Sequence, residues 1–538
     1  MLGTMMDVPM LLSRLVEHAG DFHGATEVVS RCFDGGVERS DWARLRLRAR
    51  RLGKALTTGG HHVDGVIGSL AWNSLNHVEL IYGALGIGVG LHTLNPRLAA
   101  DDLRYMAEKV GSSVIFIDHG TLALAEALAP LVPHVRQWIY MDEPGEAVPD
   151  AALPGFVTKS AYVAGVDADF AWPSFDERQA ATICFTSGTT GRPKGVVYSH
   201  RALTLSAMNM TMADMYGGYQ GGALECVMPI AAIFHANGWM MPFSAPMNGH
   251  KLVLIGRAFD APSAVAMIRD EGVTVGAGVP TIWQDILAHA AAQDMSMPTL
   301  RTVLMAGSRP SAALAAQFEA MGIAMRQSWG MTEAPGAARA TPSPGLDPAD
   351  QALWVRERQG RAGFQTQFRI VDDAGIPLPP GSDQPGHFEV RGPSVAGRYL
   401  GEPESEAVDW LKTGDIVRLD ARGALELVDR SKDVIKSGGE WISTLQLENA
   451  AMGFPGIRHA AAIGIPHPRW QERPLLLCTL AEGVESLDVE ALLAHMGRTL
   501  AKWWLPEEVR VIADMPTTST GKIDKVALRR EHGRGFSV

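Results

Sequence analysis

The chain has 538 residues and a mass of 57.8 kDa, a length at which proteins usually fold into more than one domain, each with its own hydrophobic core. Hydrophobic residues make up 46% of it and charged residues 20%, the composition of a globular protein and not of a disordered one. The formal net charge of −11 argues against a nucleic-acid-binding surface, which normally needs a basic excess. We therefore expect a large globular protein with no nucleic acid among its partners.

The first 360 residues alternate between short apolar runs and stretches with helical spacing. Residues 41–57 predict an amphipathic helix, with leucines at helical spacing and arginines between them. Further helices are predicted over Ala100–Val110, Ala261–Arg269 and Ala312–Met321, and strands over Val114–Asp118, Lys251–Ile255, Val273–Ala277 and Thr302–Met305. This alternation indicates an α/β architecture with substantial parallel sheet.

The pattern then changes to short strands separated by glycine and proline turns. These strands are predicted over Phe368–Asp372, Gly386–Arg391, Thr413–Leu419 and Leu425–Asp429. A compact unit of strands and helices follows from Asp433 to the end. The tight charged run Arg430–Asp433 joins the two patterns, so we predict one domain over residues 1–431 and a second over 432–538.

The cysteines and the hydropathy of the sequence indicate the cellular compartment of the protein. The four cysteines are far apart and form no CxxC pair, which disfavours a zinc site or a disulfide framework and favours a reducing compartment. No apolar run approaches the roughly 20 residues of a membrane helix, and the first ten residues lack the pattern of a signal peptide. We predict a cytoplasmic protein without an integral membrane segment.

The segment 181–200, ATICFTSGTTGRPKGVVYSH, joins the end of a strand to a loop rich in glycine and hydroxyl groups. Glycines permit tight turns, so backbone N–H groups of such a loop can converge on phosphate oxygens, and a lysine adds a cation. The spacing is not that of a Walker A loop, because Pro193 stands where the second glycine is required. The predicted phosphate-binding residues are Thr186, Ser187, Gly188, Thr189, Thr190, Gly191 and Lys194.

Five segments, in this order, resemble the motifs of the adenylate-forming enzymes, which include acyl-CoA synthetases, luciferases and peptide-synthetase adenylation domains. They are TSGTTGRPKG at 186–195, QSWGMTE at Gln327–Glu333, WLKTGD at Trp410–Asp415, DRSKDVIKSGGEWIS at Asp429–Ser443 and PTTSTGK at Pro516–Lys522. The resemblance spans most of the chain. It implies a large N-terminal domain of α/β subdomains plus a β-rich subdomain, hinged to a small α+β C-terminal domain.

The resemblance also implies a reaction: a carboxylate attacks the α-phosphorus of ATP, pyrophosphate leaves, and the acyl-adenylate is passed to a thiol. Negative charge gathers on phosphate oxygens in such a displacement, so cations and N–H donors are needed. Lys522 matches the family's adenylation lysine, at the α-phosphate and the acyl carboxylate. Glu333 matches the residue that holds Mg²⁺, with Thr186 near the metal and Thr332 near the phosphates.

The same resemblance places the nucleoside. Trp329 would offer a flat face to adenine, with Gly307 and Ser308 on the opposite side. Asp415 would accept hydrogen bonds from the ribose hydroxyls, and Arg430 would donate to the same sugar. The other matching nucleotide-binding residues are Gln327, Ser328 and Gly330.

A hinge and a path for coenzyme A are implied in the C-terminal motif. Lys432 matches the hinge residue, about which the small domain rotates between the two half-reactions. One pose would bring Lys522 to the reacting centre, and the other would bring a glycine-rich loop there and open a path for pantetheine. The loop residues that match are Lys436, Ser437, Gly438, Gly439 and Trp441.

The acyl pocket is implied by FHANGW at Phe234–Trp239, with His235 at the carboxylate end and with Trp239 and Gly307 beside it. The run Ile230–Asn237 contains no acidic residue, so an amino-acid substrate would leave a buried ammonium unpaired. The alanines, glycine and methionines around the motif favour an apolar, adaptable pocket.

SGGEWIS, FHANGW and WWLPEEV together resemble the bacterial medium- and long-chain fatty acyl-CoA synthetases and 3-(methylthio)propionyl-CoA ligases. We expect an acid–CoA ligase that uses ATP, CoA and Mg²⁺ and acts on a medium- or long-chain fatty acid. 3-(Methylthio)propionate or another small acid is the alternative substrate. IAAIFHANGW and the SRPS run at 308–311 depart from that branch beside the presumed acyl site.

Other functions stay open at this stage. One alternative is an acyl-AMP ligase that loads a carrier protein, although no extra segment that would hinder the hinge is visible. A non-catalytic nucleotide-binding protein is disfavoured by the intact motifs. A luciferase-type side activity is neither required nor excluded. The sequence leaves the oligomeric state undetermined, with a homodimer as one possibility.

Overall fold

The computed structural model describes residues 3–186, 192–212, 224–340, 342, 345–438, 440–518 and 522–534. Two seven-stranded sheets form the core of the N-terminal part. The first has the strand order Val157–Thr158, Gln137–Tyr140, Val114–Ile117, Val66–Leu70, Gly90–Leu94, Ala180–Phe185, Gly195–Ser199. All of its neighbouring strands are parallel except the last pair, which forms an antiparallel hairpin.

The second sheet follows the same plan. Its order is Ala324–Gln327, Thr302–Met305, Val275–Gly278, Cys226–Pro229, Lys251–Leu254, Glu27–Arg31, Val37–Asp41. Only the edge pair is antiparallel. The central strands are buried along their length, which is why they appear in the sequence as continuous apolar runs.

Helices cover both sheets. They span Ser13–Phe22, Trp42–Thr58, Leu75–Gly86, Ala100–Val110, Leu122–Leu128, Lys159–Tyr162, His200–Thr211, Met241–Asn248, Ala261–Asp270, Pro280–Ala292 and Ala312–Ala320. Several begin at a serine or aspartate whose side chain accepts a hydrogen bond from a first-turn N–H, as Asp41, Ser199 and Ser311 do. None of the helices in the described part of the chain has the length and apolar character needed to cross a membrane.

A β-rich subdomain follows the helix Pro348–Glu357. Its five strands are antiparallel, in the order Pro377–Leu378, Gln367–Val371, Gly386–Arg391, Leu411–Leu419, Leu425–Arg430. A separate short antiparallel ladder pairs Ala338–Arg339 with Arg361–Ala362. Trp329, Phe368 and Phe388 pack edge to face in its core.

The C-terminal part is a small α+β unit. Its sheet has the order Glu440–Ile442, Ile435–Ser437, Gln471–Leu480, Ile457–His467, and Glu508–Val511 pairs in parallel with Gln471–Leu480. The helices are Thr444–Met452, Val489–Met496 and Lys525–His532.

The predicted fold class is confirmed: α/β sheets, a β-rich subdomain and a small α+β unit succeed one another along the chain. Individual elements differ from the predictions by one or two residues, as at Val275–Gly278, where a strand over Val273–Ala277 was expected. Val273 is buried too, so its apolar character alone does not mark where pairing begins.

Candidate active site

A cavity of about 690 Å³ is lined by residues of both seven-stranded sheets, of the β-rich subdomain and of the C-terminal unit. Its walls include the loops that follow Phe185, Gly278, Met305 and Gln327, the carboxyl ends of parallel strands. Such an edge is where α/β folds bind ligands, because side chains and loop N–H groups converge there. The predicted site residues that line it are Thr186, Lys194, His235, Trp239, Gly307, Ser308, Ser328, Trp329, Gly330, Thr332, Glu333, Asp415, Arg430, Lys432 and Lys522.

Other predicted residues do not line this cavity. Gln327 is 1% exposed, and its amide nitrogen donates to the carbonyl oxygens of Val355 and Arg356 at 2.7 and 3.0 Å. The proposed CoA-path residues Lys436, Ser437, Gly438 and Trp441 also lie outside it. Ser187, Gly188, Thr189, Thr190, Gly191 and Gly439 fall outside the described residues.

Lys522 enters the cavity from the C-terminal unit and packs against Gly307. A Cβ atom built on Gly307 would lie 3.0 Å from Lys522 Cε, and Gly307 has a φ of +91°, so a side chain here would strain the backbone and displace the end of Lys522. Burial and the nearby charges of Arg430 and Lys432, partly offset by Asp415, lower the pKa of Lys522 to about 8. The amine is therefore still mostly cationic at neutral pH.

The predicted phosphate-binding end of the cavity lies at the antiparallel pair of strands Ala180–Phe185 and Gly195–Ser199. The Thr186 N–H donates to the carbonyl of Lys194 at 2.9 Å, and the Lys194 N–H donates to Thr186 Oγ1 at 3.1 Å. The ammonium of Lys194 lies 4.4 Å from the ring centroid of Tyr399, and the Tyr399 hydroxyl donates to Glu333 Oε1 at 2.6 Å. Burial and Glu333 raise the pKa of Tyr399, so it stays a donor. Lys194, Tyr399 and Glu333 thus form one chain of contacts.

Glu333 and Thr186, the predicted magnesium-binding residues, both line the cavity. The described residues contain no group of three or more His, Cys, Asp or Glu side chains that would cage a metal. Glu333 is 6% exposed and has one oxygen fixed by Tyr399, which leaves the other for a ligand. Mg²⁺ commonly takes one or two carboxylates and completes its shell with water and substrate phosphates.

The predicted ribose-binding residue Asp415 lines the cavity and is 4% exposed. Its Oδ2 accepts a hydrogen bond from the indole Nε1 of Trp329 at 2.8 Å. Its Oδ1 is buried without a hydrogen bond, while Arg430 Nε lies 3.2 Å away as an ion-pair partner. A buried acceptor without a donor is costly, so Oδ1 is suited to a ligand hydroxyl.

Trp329 has a structural task that sequence reasoning did not identify. Its indole is 6% exposed, packs edge-on against Phe388 with ring centroids 4.8 Å apart, and fixes Asp415 by its N–H. It still lines the cavity, and its stacking on adenine remains a prediction.

The acyl-pocket motif adopts a left-handed turn. Ala236, Asn237, Gly238, Trp239 and Met240 all have positive φ, between 40° and 66°. Only one of the five is glycine, and each other residue in this region costs on the order of 1–2 kcal/mol. The side chain of Asn237 supports the turn, because it accepts from the Thr182 hydroxyl and donates to the Ile233 carbonyl at 3.2 Å.

This turn places His235 and Trp239 on the cavity wall. Burial and the charge of Lys522 lower the pKa of His235 to about 3, so the imidazole is neutral at physiological pH. It can donate or accept one hydrogen bond at a carboxylate but cannot pair with it as a cation.

Contacts on either side of the predicted hinge hold the C-terminal unit in place. Asp429 Oδ2, at the end of the β-rich subdomain, accepts from both the N–H and the hydroxyl of Thr444, at 2.6 and 2.8 Å. The Ser443 hydroxyl donates to the Val428 carbonyl at 2.6 Å, and Arg458 Nη2 lies 3.2 Å from Asp285 Oδ1. These contacts accompany the pose in which Lys522 is in the cavity.

The predicted CoA-path segment lies on another face of the same unit. The Trp441 ring lies 6.2 Å from His387, and the Gly438 N–H donates to the carbonyl of Trp470 at 3.0 Å. Gly438 has a φ of +62°. The structure therefore brings the lysine motif of the C-terminal unit to the cavity but not the glycine-loop motif.

Comparison with known sequences assigns the family. The model of the AMP-binding enzymes matches residues 15–400, and that of the AMP-binding enzyme C-terminal domain matches residues 446–522. The chain belongs to the AMP-binding enzyme family.

Similar proteins cover the whole chain. A 3-methylmercaptopropionyl-CoA ligase of Ruegeria lacuscaerulensis is 40% identical, over 99% of this chain and 99% of its own. A medium-chain-fatty-acid–CoA ligase of Ectopseudomonas oleovorans is 36% identical, over 99% and 98%. Among solved structures, an anthranilate CoA ligase in complex with anthranoyl-AMP has a TM-score of 0.84 at 21% identity, covering 98% of both chains, which shows a shared fold.

Proposed function

We propose that the protein joins an apolar carboxylic acid to CoA through an acyl-adenylate, consuming ATP and releasing pyrophosphate and AMP. The observation that carries the proposal is the position of Lys522, which reaches from the C-terminal unit into a cavity lined by the phosphate hairpin and by Asp415. The names of relatives at 36–40% identity over nearly the full chain agree with this chemistry.

In the first half-reaction a carboxylate oxygen of the acid bonds to the α-phosphorus, and the bond from that phosphorus to the bridging oxygen of pyrophosphate breaks. Lys522 would stabilise the charge on the α-phosphate oxygens, and Lys194 would hold the outgoing pyrophosphate. Neutral His235 would orient the acid through one hydrogen bond. Glu333 and Thr186 would hold Mg²⁺, which neutralises phosphate charge when bound.

In the second half-reaction the CoA thiolate attacks the acyl carbonyl, and AMP leaves. We propose that residues 432–538 rotate against residues 1–431 about Lys432. This motion would withdraw Lys522 and bring the segment Lys436–Trp441 to the cavity. The supporting observation is that the two motifs lie apart on one small unit while one of them faces the cavity.

For the acid we propose a medium- or long-chain fatty acid, with 3-(methylthio)propionate as the second candidate. Apolar groups dominate the wall beside the acyl motif, where Met210, Ala236, Met331 and Pro335 line the cavity. They offer no partner for a charged substrate tail. The 40% identity to a 3-methylmercaptopropionyl-CoA ligase favours the second candidate.

AMP release in the presence of ATP, Mg²⁺ and CoA tests the function across acetate, butyrate, 3-(methylthio)propionate, hexanoate, octanoate, palmitate and an aryl acid. We expect CoA-dependent AMP formation with an apolar acid. AMP formed without need for CoA, and only when an acyl carrier protein is supplied, would favour carrier loading. No AMP with any acid would contradict the proposal.

We further propose a cytoplasmic location. All four cysteines are free, and burial raises the pKa of Cys32 to about 11 and those of Cys226 and Cys478 to about 12. Such thiols are unreactive and suit a reducing compartment. A homodimer stays a prediction that analytical ultracentrifugation tests.

A further inference from the structure

A buried asparagine, Asn73, joins the two seven-stranded sheets in front of the predicted acyl-pocket motif. It lies in the loop after the strand Val66–Leu70 of the first sheet and is 2% exposed. Its amide nitrogen donates to the carbonyls of Pro229 and Ala231, both at 2.9 Å, and its amide oxygen accepts from the Ile233 N–H at 2.7 Å. These three hydrogen bonds all fix the backbone that leads from the second sheet into the motif.

Further contacts attach the loop that carries Asn73 to both sheets. The Asn73 carbonyl accepts from the N–H of Gly256, which follows another strand of the second sheet, at 2.7 Å. The neighbouring Trp72 packs edge to face with Phe234, the first residue of the motif, with ring centroids 5.7 Å apart. The Trp72 N–H donates at 2.6 Å to Asp118 Oδ2, beyond a strand of the first sheet. The loop therefore holds the start of the motif against the first sheet.

The left-handed turn of the motif depends on this fixed backbone. Four of the five residues over Ala236–Met240 are not glycine yet have positive φ, a conformation that persists only where surrounding contacts hold it. The Ala232 carbonyl accepts from the N–H groups of His235 and Gly238, at 2.9 and 3.1 Å. Ala232 lies between two residues whose backbones Asn73 binds. The carbonyl on which the turn is built is therefore held in place by Asn73.

We infer that Asn73 is a positioning residue that keeps His235 and Trp239 on the cavity wall by fixing the backbone in front of the turn. The inference rests on the proposed function, in which these two side chains meet the acid. Asn73 itself lies outside the cavity wall, so it acts through the turn. Without its amide, two carbonyls and one N–H lose their partners and the strained turn relaxes. Lys194 and Asp415, which belong to other elements, stay in place.

The kinetic test compares Asn73→Ala with Asn76→Ala, a matched control three positions along the chain. Asn76 is 3% exposed, its amide nitrogen donates to the carbonyls of Met141 and Asp142 at 3.2 and 3.1 Å, and its oxygen accepts from two cations. Both variants should lower the Tm, because both lose buried hydrogen bonds. Only Asn73→Ala should lower kcat/KM for the acid, by about 10²-fold, the effect of misplacing a reactant by about 1 Å. The KM for ATP and the AMP affinity should match those of Asn76→Ala.

Hydrogen exchange of the backbone, followed by mass spectrometry, tests the inference without any acid. Peptides covering residues 231–240 should exchange faster in Asn73→Ala than in Asn76→Ala, because the Ile233 N–H loses its acceptor and the turn loses its support. Peptides from the strand Leu411–Leu419 of the β-rich subdomain should exchange alike in both variants.

Three outcomes would overturn the inference. They are equal kcat/KM for the acid in Asn73→Ala and Asn76→Ala, a KM for ATP raised as much as the KM for the acid, and equal exchange of residues 231–240 in the two variants. If the wild-type protein activated no acid, the proposed function would fail. Hydrogen exchange would then still decide whether Asn73 holds the turn.

Discussion

The C-terminal unit carries two motifs with different surroundings. Lys522 is enclosed by the cavity and has a pKa lowered to about 8, whereas Trp441 lies against His387 outside it. Both motifs belong to one small unit, so under the proposed function they would exchange places only by a movement of the whole unit. Under the proposed function, a single pose would serve only one half-reaction.

The contacts that hold this pose lie close to Lys432. Asp429 accepts a hydrogen bond from the N–H of Thr444, the first residue of the helix Thr444–Met452, and the Ser443 hydroxyl donates to the Val428 carbonyl at 2.6 Å. A polar attachment of this kind releases with less penalty than an apolar interface, since water replaces its hydrogen bonds. We therefore expect a mutation in one motif to slow one half-reaction and leave the other unchanged.

The largest expected effect is that of Lys522→Ala. Removing the only cation that the C-terminal unit places against Gly307, among the described residues, should slow adenylation at least 10²- to 10³-fold. ATP–pyrophosphate exchange in the presence of acid measures this step. Lys502→Ala, on an exposed segment of the same unit, should behave like wild type.

Glu333→Gln should have the next largest effect, a decrease of about 10²-fold in the adenylation rate. The variant keeps the size of the side chain and the acceptor for Tyr399 but loses the charge that a magnesium ion requires. The magnesium concentration that gives half of the maximal initial rate should be higher than in wild type. An unchanged concentration would contradict the assignment of Glu333 to the metal site.

The pH dependence of adenylation should report Lys522. Because the amine is cationic below its pKa of about 8, kcat/KM for ATP should fall about tenfold per pH unit above that value. His235, with a pKa of about 3, should add no step between pH 5 and 8. An unchanged profile in Lys522→Arg would contradict this assignment, since an arginine stays charged throughout.

Tyr399→Phe should have the smallest effect of these. It removes the hydroxyl that donates to Glu333 at 2.6 Å but keeps the ring beside Lys194. A loss of about 1.5 kcal/mol, the lower end for a hydrogen bond to a charged group, corresponds to a decrease of about tenfold in exchange rate. A loss as large as that of Glu333→Gln would indicate that the tyrosine contacts the nucleotide itself.

Most of the fold and much of the site could be predicted because the motifs end buried strands. Thr186, Ser308 and Ser328 follow such strands, and parallel strands bring their carboxyl ends to one edge. Tyr399 was missed, since it stands alone in a loop and owes its role to a contact with Glu333, 66 positions earlier. Sequence distance conceals such pairs.

Two local features also escaped the sequence. The left-handed turn at Ala236–Met240 contains only one glycine, so its residues carry no signal for positive φ, and Asn237 stabilises it through Thr182 on a distant strand. Gln327 matches a nucleotide-binding position, but its side-chain amide donates to the carbonyls at the end of the helix Pro348–Glu357. In both cases tertiary hydrogen bonds decide the local arrangement.

Preformed acyl-adenylate and CoA, supplied to Lys522→Ala and Trp441→Ala, allow thioester formation to be compared with pyrophosphate exchange in each variant. We predict that Lys522→Ala makes thioester at close to the wild-type rate while its exchange is lost. We predict that Trp441→Ala retains exchange while thioester formation is slowed. Equal losses of both half-reactions in both variants, at unchanged Tm, would contradict the division of labour between the two motifs.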